Sequence, residues 1–197
     1  MANPPPIPPP PAGYWRRTFA CLADIIPLII LGWVLARWIA GPDELAALKT
    51  TEAWIKNFSN LYAHALETGS QREMQTLMNL ALHPQTQDME AIVQWNEFQG
   101  GVLFILLLCG LTLQEWLGQG RTLGKRMFHL RTMDVVSQTP PTFMGCLLRC
   151  AWKAAFFALP NPITMILGII NFHVPLFRRD CRTWHDLWSR TQVVIVP

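Results

Sequence analysis

The chain has 197 residues, of which 51% are hydrophobic and only 15% charged, with a formal net charge of +3. Ordinary soluble domains carry about 25% charged residues. This composition, with nine Trp and ten Phe, excludes a disordered chain, argues against a soluble enzyme domain, and fits a few membrane helices with one insert.

Residues 1–13 form a Pro-rich tail, with seven prolines and Ile7 between positions 4 and 11. Such a run is extended polyproline II or disordered. It reads either as a docking peptide for an aromatic groove or, more commonly, as a stiff solvated tail. Residues 14–40 hold a first membrane span. Its apolar run, 18–36, is broken by one charge, Asp24, and bounded by Arg16, Arg17 and Arg37. The run approaches the roughly 20 residues that a bilayer needs. It is longer than a signal-peptide core and lacks a small-residue cleavage site, so a retained span is expected.

Residues 41–97 read as a helical extracytoplasmic insert. Pro42 suits a first helical position, and Trp54, Phe58, Leu61, Tyr62 and Ala65 follow helical spacing up to a stop at Gly69. Ser70 and Glu73 have capping-box spacing before Met74, Leu77, Met78 and Ala81. His83-Pro84 ends that helix, and a third starts near Thr86 and runs into the second span, 98–118. In the insert, eight acids (Asp43, Glu44, Glu52, Glu67, Glu73, Asp88, Glu90, Glu97) outnumber Lys49, Lys56 and Arg72.

Residues 119–142 form a basic loop with Arg121, Lys125, Arg126 and Arg131. Its GQGRTLGKR resembles a phosphate loop only superficially, because G-x3-G-K-R departs from G-x4-G-K-[ST]. Nucleotide binding is discarded, and anionic lipid headgroups are the expected contact. Residues 143–177 are apolar but broken at Pro160-Asn161-Pro162, which predicts a membrane-embedded helical hairpin. Arg149 and Lys153 share a helix face there and are expected to snorkel to one interface. Residues 178–197 close the chain: Thr183–Trp188 reads as an interfacial helix with Trp184 and Trp188 at headgroup depth. The final TQVVIVP reads as a strand pairing with His129–Met133.

Arg16/Arg17, Arg121–Arg131 and Arg178/Arg179/Arg182 are basic clusters that the positive-inside rule puts in the cytoplasm. Both termini are then cytoplasmic, and the third apolar region must return to that side. The five Cys (Cys21, Cys109, Cys146, Cys150, Cys181) avoid the insert, so no disulfide framework is implied.

An intramembrane acid is a functional hypothesis by default. Asp24 lies on the face of Arg17, about 10 Å along the axis, and its expected partners are Arg149, Lys153 or Arg17. It reads either as an ion or proton site, helped by a carbonyl freed at Pro27, or as one half of a structural ion pair. No nucleophile, metal or acid–base set converges, and Cys181 with His185 makes only a two-ligand pair. No enzyme activity, cofactor, metal or nucleic-acid partner is expected.

Three blocks resemble the RDD family of prokaryotic membrane proteins: AGYWRRTFACLADIIPLII (12–30), GQGRTLGKRMFHLRTMD (118–134) and RRDCRTWHDLWSRTQVVIV (178–196). The family's Arg and two Asp fall here on Arg17, Asp24 and Asp186, with Arg16 an adjacent alternative for the Arg. The outer segment of the family is often shorter than the insert found here. The resemblance implies a multi-pass protein of the bacterial inner membrane. Transport, including cation/proton exchange, has been proposed for members.

The expected architecture is thus an all-α integral membrane protein: two full spans, a Pro-broken hairpin and a helical insert. In the transport reading Asp24 is the exchange site, Arg17, Arg149 and Lys153 tune it, and Asp186 locks the cytoplasmic side against Lys125, Arg126 or Arg131. Two spans and a hairpin are few for a pathway, so a homo-oligomer is expected. The alternative is a non-catalytic accessory or assembly subunit of a membrane complex, with the insert as the partner-binding surface.

Overall fold

The computed structural model of the chain describes residues 9–83, 85–159 and 161–196. The expected polyproline run at positions 4–8 lies outside the described residues, as does Pro160 of the hairpin break. The chain is mostly helical, with one small sheet. It divides into two compact units, one combining the N-terminal part up to Val34 with Gly100 onward, the other spanning Leu35–Gln99.

The first unit is built on α1 (Tyr14–Ile39), the C-terminal half of α4 (Thr86–Leu117), α6 (Phe143–Ala158) and α7 (Pro162–His173). Its apolar core joins Ile25 of α1, Leu103, Leu107 and Leu111 of α4, and Cys150, Ala154 and Ala158 of α6. Small residues let these helices approach closely. A Cβ on Gly32 would lie 2.9 Å from Leu103 Cδ1, and one on Gly168 of α7 would lie 3.1 Å from Phe156 Cβ. Among the described residues, α1 and α4 are the two helices long and apolar enough to cross a membrane.

The polar ends of this unit are tied by short elements: α5 (Leu123–Met127), α8 (Trp184–Trp188) and the strands β1 (Leu130–Asp134) and β2 (Thr191–Ile195). The strands pair antiparallel, Leu130 opposite Ile195 and Asp134 opposite Thr191. The sheet thus forms where TQVVIVP was expected to pair, and it tempers the all-α description. Pro10–Ala12 adds to β2, with Ala12 N–H donating to Val193 O at 2.9 Å and Ile195 N–H donating to Pro10 O at 3.1 Å. The end of the tail is therefore docked rather than solvated. Prolines serve here because they need only accept at a sheet edge. Ala12, Ala20, Leu130 and Val193 bury the junction of sheet and α1.

The second unit contains α2 (Pro42–Thr68) and α3 (Gln71–Leu82). Gly69 closes α2 at φ 61°, its N–H donating to Ala65 O at 3.1 Å. A left-handed residue there favours glycine. Ser70 caps α3 by accepting from Glu73 N–H at 3.4 Å. The Glu73 carboxylate, expected to complete a capping box, instead accepts from the Thr68 hydroxyl at 2.6 Å and faces His64 Nδ1 at 2.9 Å. Trp54 stacks on Phe58, their ring centres 5.4 Å apart.

Candidate functional site: a buried ionic cluster

Seven charged side chains converge where α1, α4, α6 and the C-terminal segment meet. Three are carboxylates and each is held differently. Glu115, in the last turns of α4, is fully buried. Lys125 Nζ donates to its Oε1 at 2.6 Å, Arg149 Nε lies 3.3 Å from the same oxygen, and Cys150 Sγ lies 3.7 Å from Oε2. Lys125 reaches inward because Thr122 caps α5 and turns the helix toward the core, where Nζ also donates to Thr132 at 2.7 Å.

Asp186 is the second carboxylate. Thr183 and Asp186 form the capping box that starts α8, and Thr183 N–H donates to Asp186 Oδ2 at 3.1 Å. Its oxygens also accept from Arg17 of α1 and Arg149 of α6. Burial alone would raise this carboxyl, but the Arg17 and Arg149 guanidiniums hold it well below the usual range. Arg149 also donates to Thr191 at 2.6 Å, and Arg17 to Cys181 O.

Asp24 is the third. It accepts from the Thr122 hydroxyl and from Gly124 N–H at 2.7 Å. A Cβ on Gly124 would collide with Ala20 O and touch Asp24 Cγ, so glycine is what lets this loop reach α1. Gly120 is at φ 88° with Thr132 O in the way of a side chain, which accounts for a second glycine of the loop.

Lys153, one helical turn beyond Arg149, is 9% exposed and has no hydrogen-bond or ion-pair partner among the described residues. It lines a cavity of about 50 Å³ together with Arg17, Asp24, Glu115, Lys125 and Arg149. That space holds about three waters.

Beside the cluster, Asn171 of α7 is fully buried. Its Oδ1 accepts from Trp184 N–H at 3.1 Å and His185 N–H at 3.4 Å, and its Nδ2 lies 3.1 Å from His185 Nδ1. Burial keeps the His185 ring neutral, well below its usual pKa. With Nδ1 accepting, Nε2 carries the proton and donates to Thr183 Oγ1 at 3.1 Å.

The structure therefore brings together Arg17, Asp24, Arg149, Lys153 and Asp186, but not in the expected pairs. Asp24 is held by Thr122 and Gly124 rather than by a cation. Asp186 is paired with Arg17 and Arg149, not with Lys125, Arg126 or Arg131. Pairing of β1 with β2 brings α8 under α1 and α6, whereas Lys125 is drawn to Glu115. Arg149 and Lys153 face this interior rather than an interface. Arg16 and Arg126 are exposed, Arg121 is half-buried, and Arg131 donates to Gln119 O at 2.9 Å. Pro27 is exposed and does not line the cavity. Glu115, Thr122, Thr132, Asn171 and Thr191 are additions that pattern reading passed over. A lone acid and a lone Asn inside apolar runs were the available signals for two of them. Among the described residues no group of three or more His, Cys, Asp or Glu is arranged to hold a metal ion.

A family model described as the RDD family matches residues 11–190. That range contains every charged residue of the cluster. No curated protein and no solved structure gives a match.

Proposed function

Because the chain belongs to the RDD family, we propose that it is a multi-pass protein of the bacterial inner membrane, both termini cytoplasmic, that exchanges a cation for protons at the buried cluster. The membrane placement is supported by apolar side chains that water would not tolerate in such number. Ile26, Ile30, Leu31, Trp33 and Val34 of α1 are exposed, as are Ile163, Met165, Ile166, Ile169 and Ile170 of α7. On this reading α6 and α7 are the two arms of the embedded hairpin.

The observation that carries the exchange reading is the condition of Asp24. Glu115 and Asp186 are each clamped by two cations, while Asp24 accepts two neutral hydrogen bonds beside the cavity of about 50 Å³. It is the carboxylate left available to a passing cation. Arg17, Arg149 and Lys153 set the field around it, and Asp186 fixes the cytoplasmic segment beneath. Because the cavity at the cluster is small, the pathway on this reading is completed by a homo-oligomer. Arg121, Arg126 and Arg131 are the loop's candidates for anionic headgroups, Lys125 being turned inward. The test is Na⁺- or K⁺-driven proton flux in proteoliposomes, parent against Asp24→Asn, with folding of both verified. Flux that persists in the folded variant overturns Asp24 as the exchange site.

A second reading, an accessory subunit of a membrane complex, is favoured by the unit of residues 35–99. Ile55, Tyr62, Leu66, Met78 and Leu82 are exposed there, on a segment assigned to the aqueous side. Absence of flux from well-folded protein would put this reading first.

A further inference from the structure

A groove of about 570 Å³ runs between α1 and the α6–α7 hairpin, lined by Leu22, Phe157, Met165, Gly168 and Ile169. The volume is within the range of small-molecule sites, about 300–1,000 Å³. Tyr14, Thr18, Cys21 and Phe172 line both this groove and the charged cavity, so the two abut.

Around the cavity four cations meet three carboxylates. Arg17, Lys125, Arg149 and Lys153 line it with Asp24 and Glu115, Asp186 pairs with Arg17 and Arg149, and His185 is neutral. Arg17, Lys125 and Arg149 are committed to Glu115 and Asp186. Lys153 makes no hydrogen bond or ion pair among the described residues, and Arg149 Nε makes no hydrogen bond but lies 3.3 Å from Glu115 Oε1. Glu115 and Asp24 line the same cavity, so among the described residues Lys153 is the cation there that has anions near it but no direct anionic contact. A cavity of about 50 Å³, with room for a few waters, admits a carboxylate in place of some of them.

We propose that groove and cavity together form a binding site for a long-chain carboxylate of the fatty-acid class. The carboxylate sits on Lys153 Nζ and its alkyl chain lies along the groove past Thr18 and Cys21. This rests on the membrane placement of α1 and the hairpin proposed above, and not on ion exchange: loss of flux leaves it standing, and its failure leaves the exchange reading standing.

The experiment uses the full chain in nanodiscs with a photoreactive palmitate analogue, mapping the cross-links and competing with unlabelled ligands. The expected result is labelling of α1 and α7, displaced by palmitate but not by hexadecanol or acetate. In Lys153→Met the apparent affinity falls by at least about tenfold, the loss of one charge-assisted contact. Cys21→Phe, which narrows the passage and leaves the charge, weakens palmitate as well. Equal competition by hexadecanol would mean simple partition into an apolar groove and overturns the proposal. So does equal competition by phosphatidylglycerol, because the recognised head is then not a carboxylate. Absence of labelling in the native chain overturns it without recourse to any variant.

Discussion

Arg149 on α6 donates to the Asp186 carboxylate at the start of α8, with both side chains fully buried. The pair joins residues far apart in sequence, and through Arg17 it extends to α1. One carboxylate therefore holds the C-terminal segment against α1 and α6. Glu115 repeats the arrangement from α4, through Lys125 and Arg149. Arg149 is the side chain common to both.

Asp186→Asn keeps the side-chain shape but takes the anion from Arg17 and leaves Arg149 with Glu115 alone. Breaking such a pair by removing one partner typically costs about 3–5 kcal/mol. The expected outcome is a large drop in thermal denaturation temperature in detergent. Combining Asp186→Asn with Arg149→Met should be less damaging than the sum of the single changes, because the second removes one of the two cations that lost their partner. Strict additivity would show that the two residues do not act as a pair.

Stability should fall on the acid side in two stages. The Asp186 carboxyl is held low in the folded protein, so its contribution is fully present above about pH 5 and is lost as pH falls through its folded value. His185 is also depressed, but it is a base kept neutral. The unfolded chain takes up that proton first, so stability begins to decline below about pH 6.5. His185→Gln should flatten the decline between about pH 6.5 and 5 by up to ~1.4 kcal/mol per pH unit. Denaturation midpoints across pH measure this, and an unchanged slope would exclude His185 as its source.

Periodicity and breakers in the sequence announce the helices well. Apolar length marks α1 and α4, Pro42 and Gly69 bound α2, and Ser70 with His83 bound α3. The pairing of β2 with β1 is legible from a short β-branched run near a matching segment. The partners of the charges are not legible. Arg149 and Lys153 occupy one helix face, and spacing is the same whether that face meets headgroups or the protein interior. Asp186 lies near several basic residues in sequence, yet its partners are set by which helices the sheet brings above α8. Asn171 is a single polar residue in an apolar helix and Glu115 the one acid near the end of an apolar run, and only the fold reveals what they bond to.

The loop glycine Gly124 offers a sharper test of the Asp24 site than a change of the acid itself. Gly124→Ala places a methyl group against Ala20 O and Asp24 Cγ. The loop must retreat, and the Gly124 N–H bond to Asp24 lengthens or breaks. Overpacking of this kind costs about 1–3 kcal/mol. The expected outcome is lower stability together with altered cation dependence of proton flux, even though Asp24 is intact. A variant of lowered stability whose flux keeps the parent's cation dependence would separate loop docking from exchange.

Asn171→Leu tests how the hairpin is fastened to the C-terminal segment. The substitution is close in volume and suits an apolar helix, so α7 itself should form as before. It removes the acceptor of the Trp184 and His185 N–H groups and the donor to His185 Nδ1. Those N–H groups open α8, where a helix start has no internal partners for them. Each buried group left unsatisfied costs about 1–3 kcal/mol. Faster amide exchange is expected at residues 183–187, along with weaker packing of Phe172 against His185, whose rings lie 6.3 Å apart. Hydrogen exchange measured by mass spectrometry reads this directly. Because α2 and α3 belong to the other compact unit, their exchange should stay at the parent's level. Equal protection loss across both units would mean that the variant unfolds globally and that Asn171 is not a local fastener.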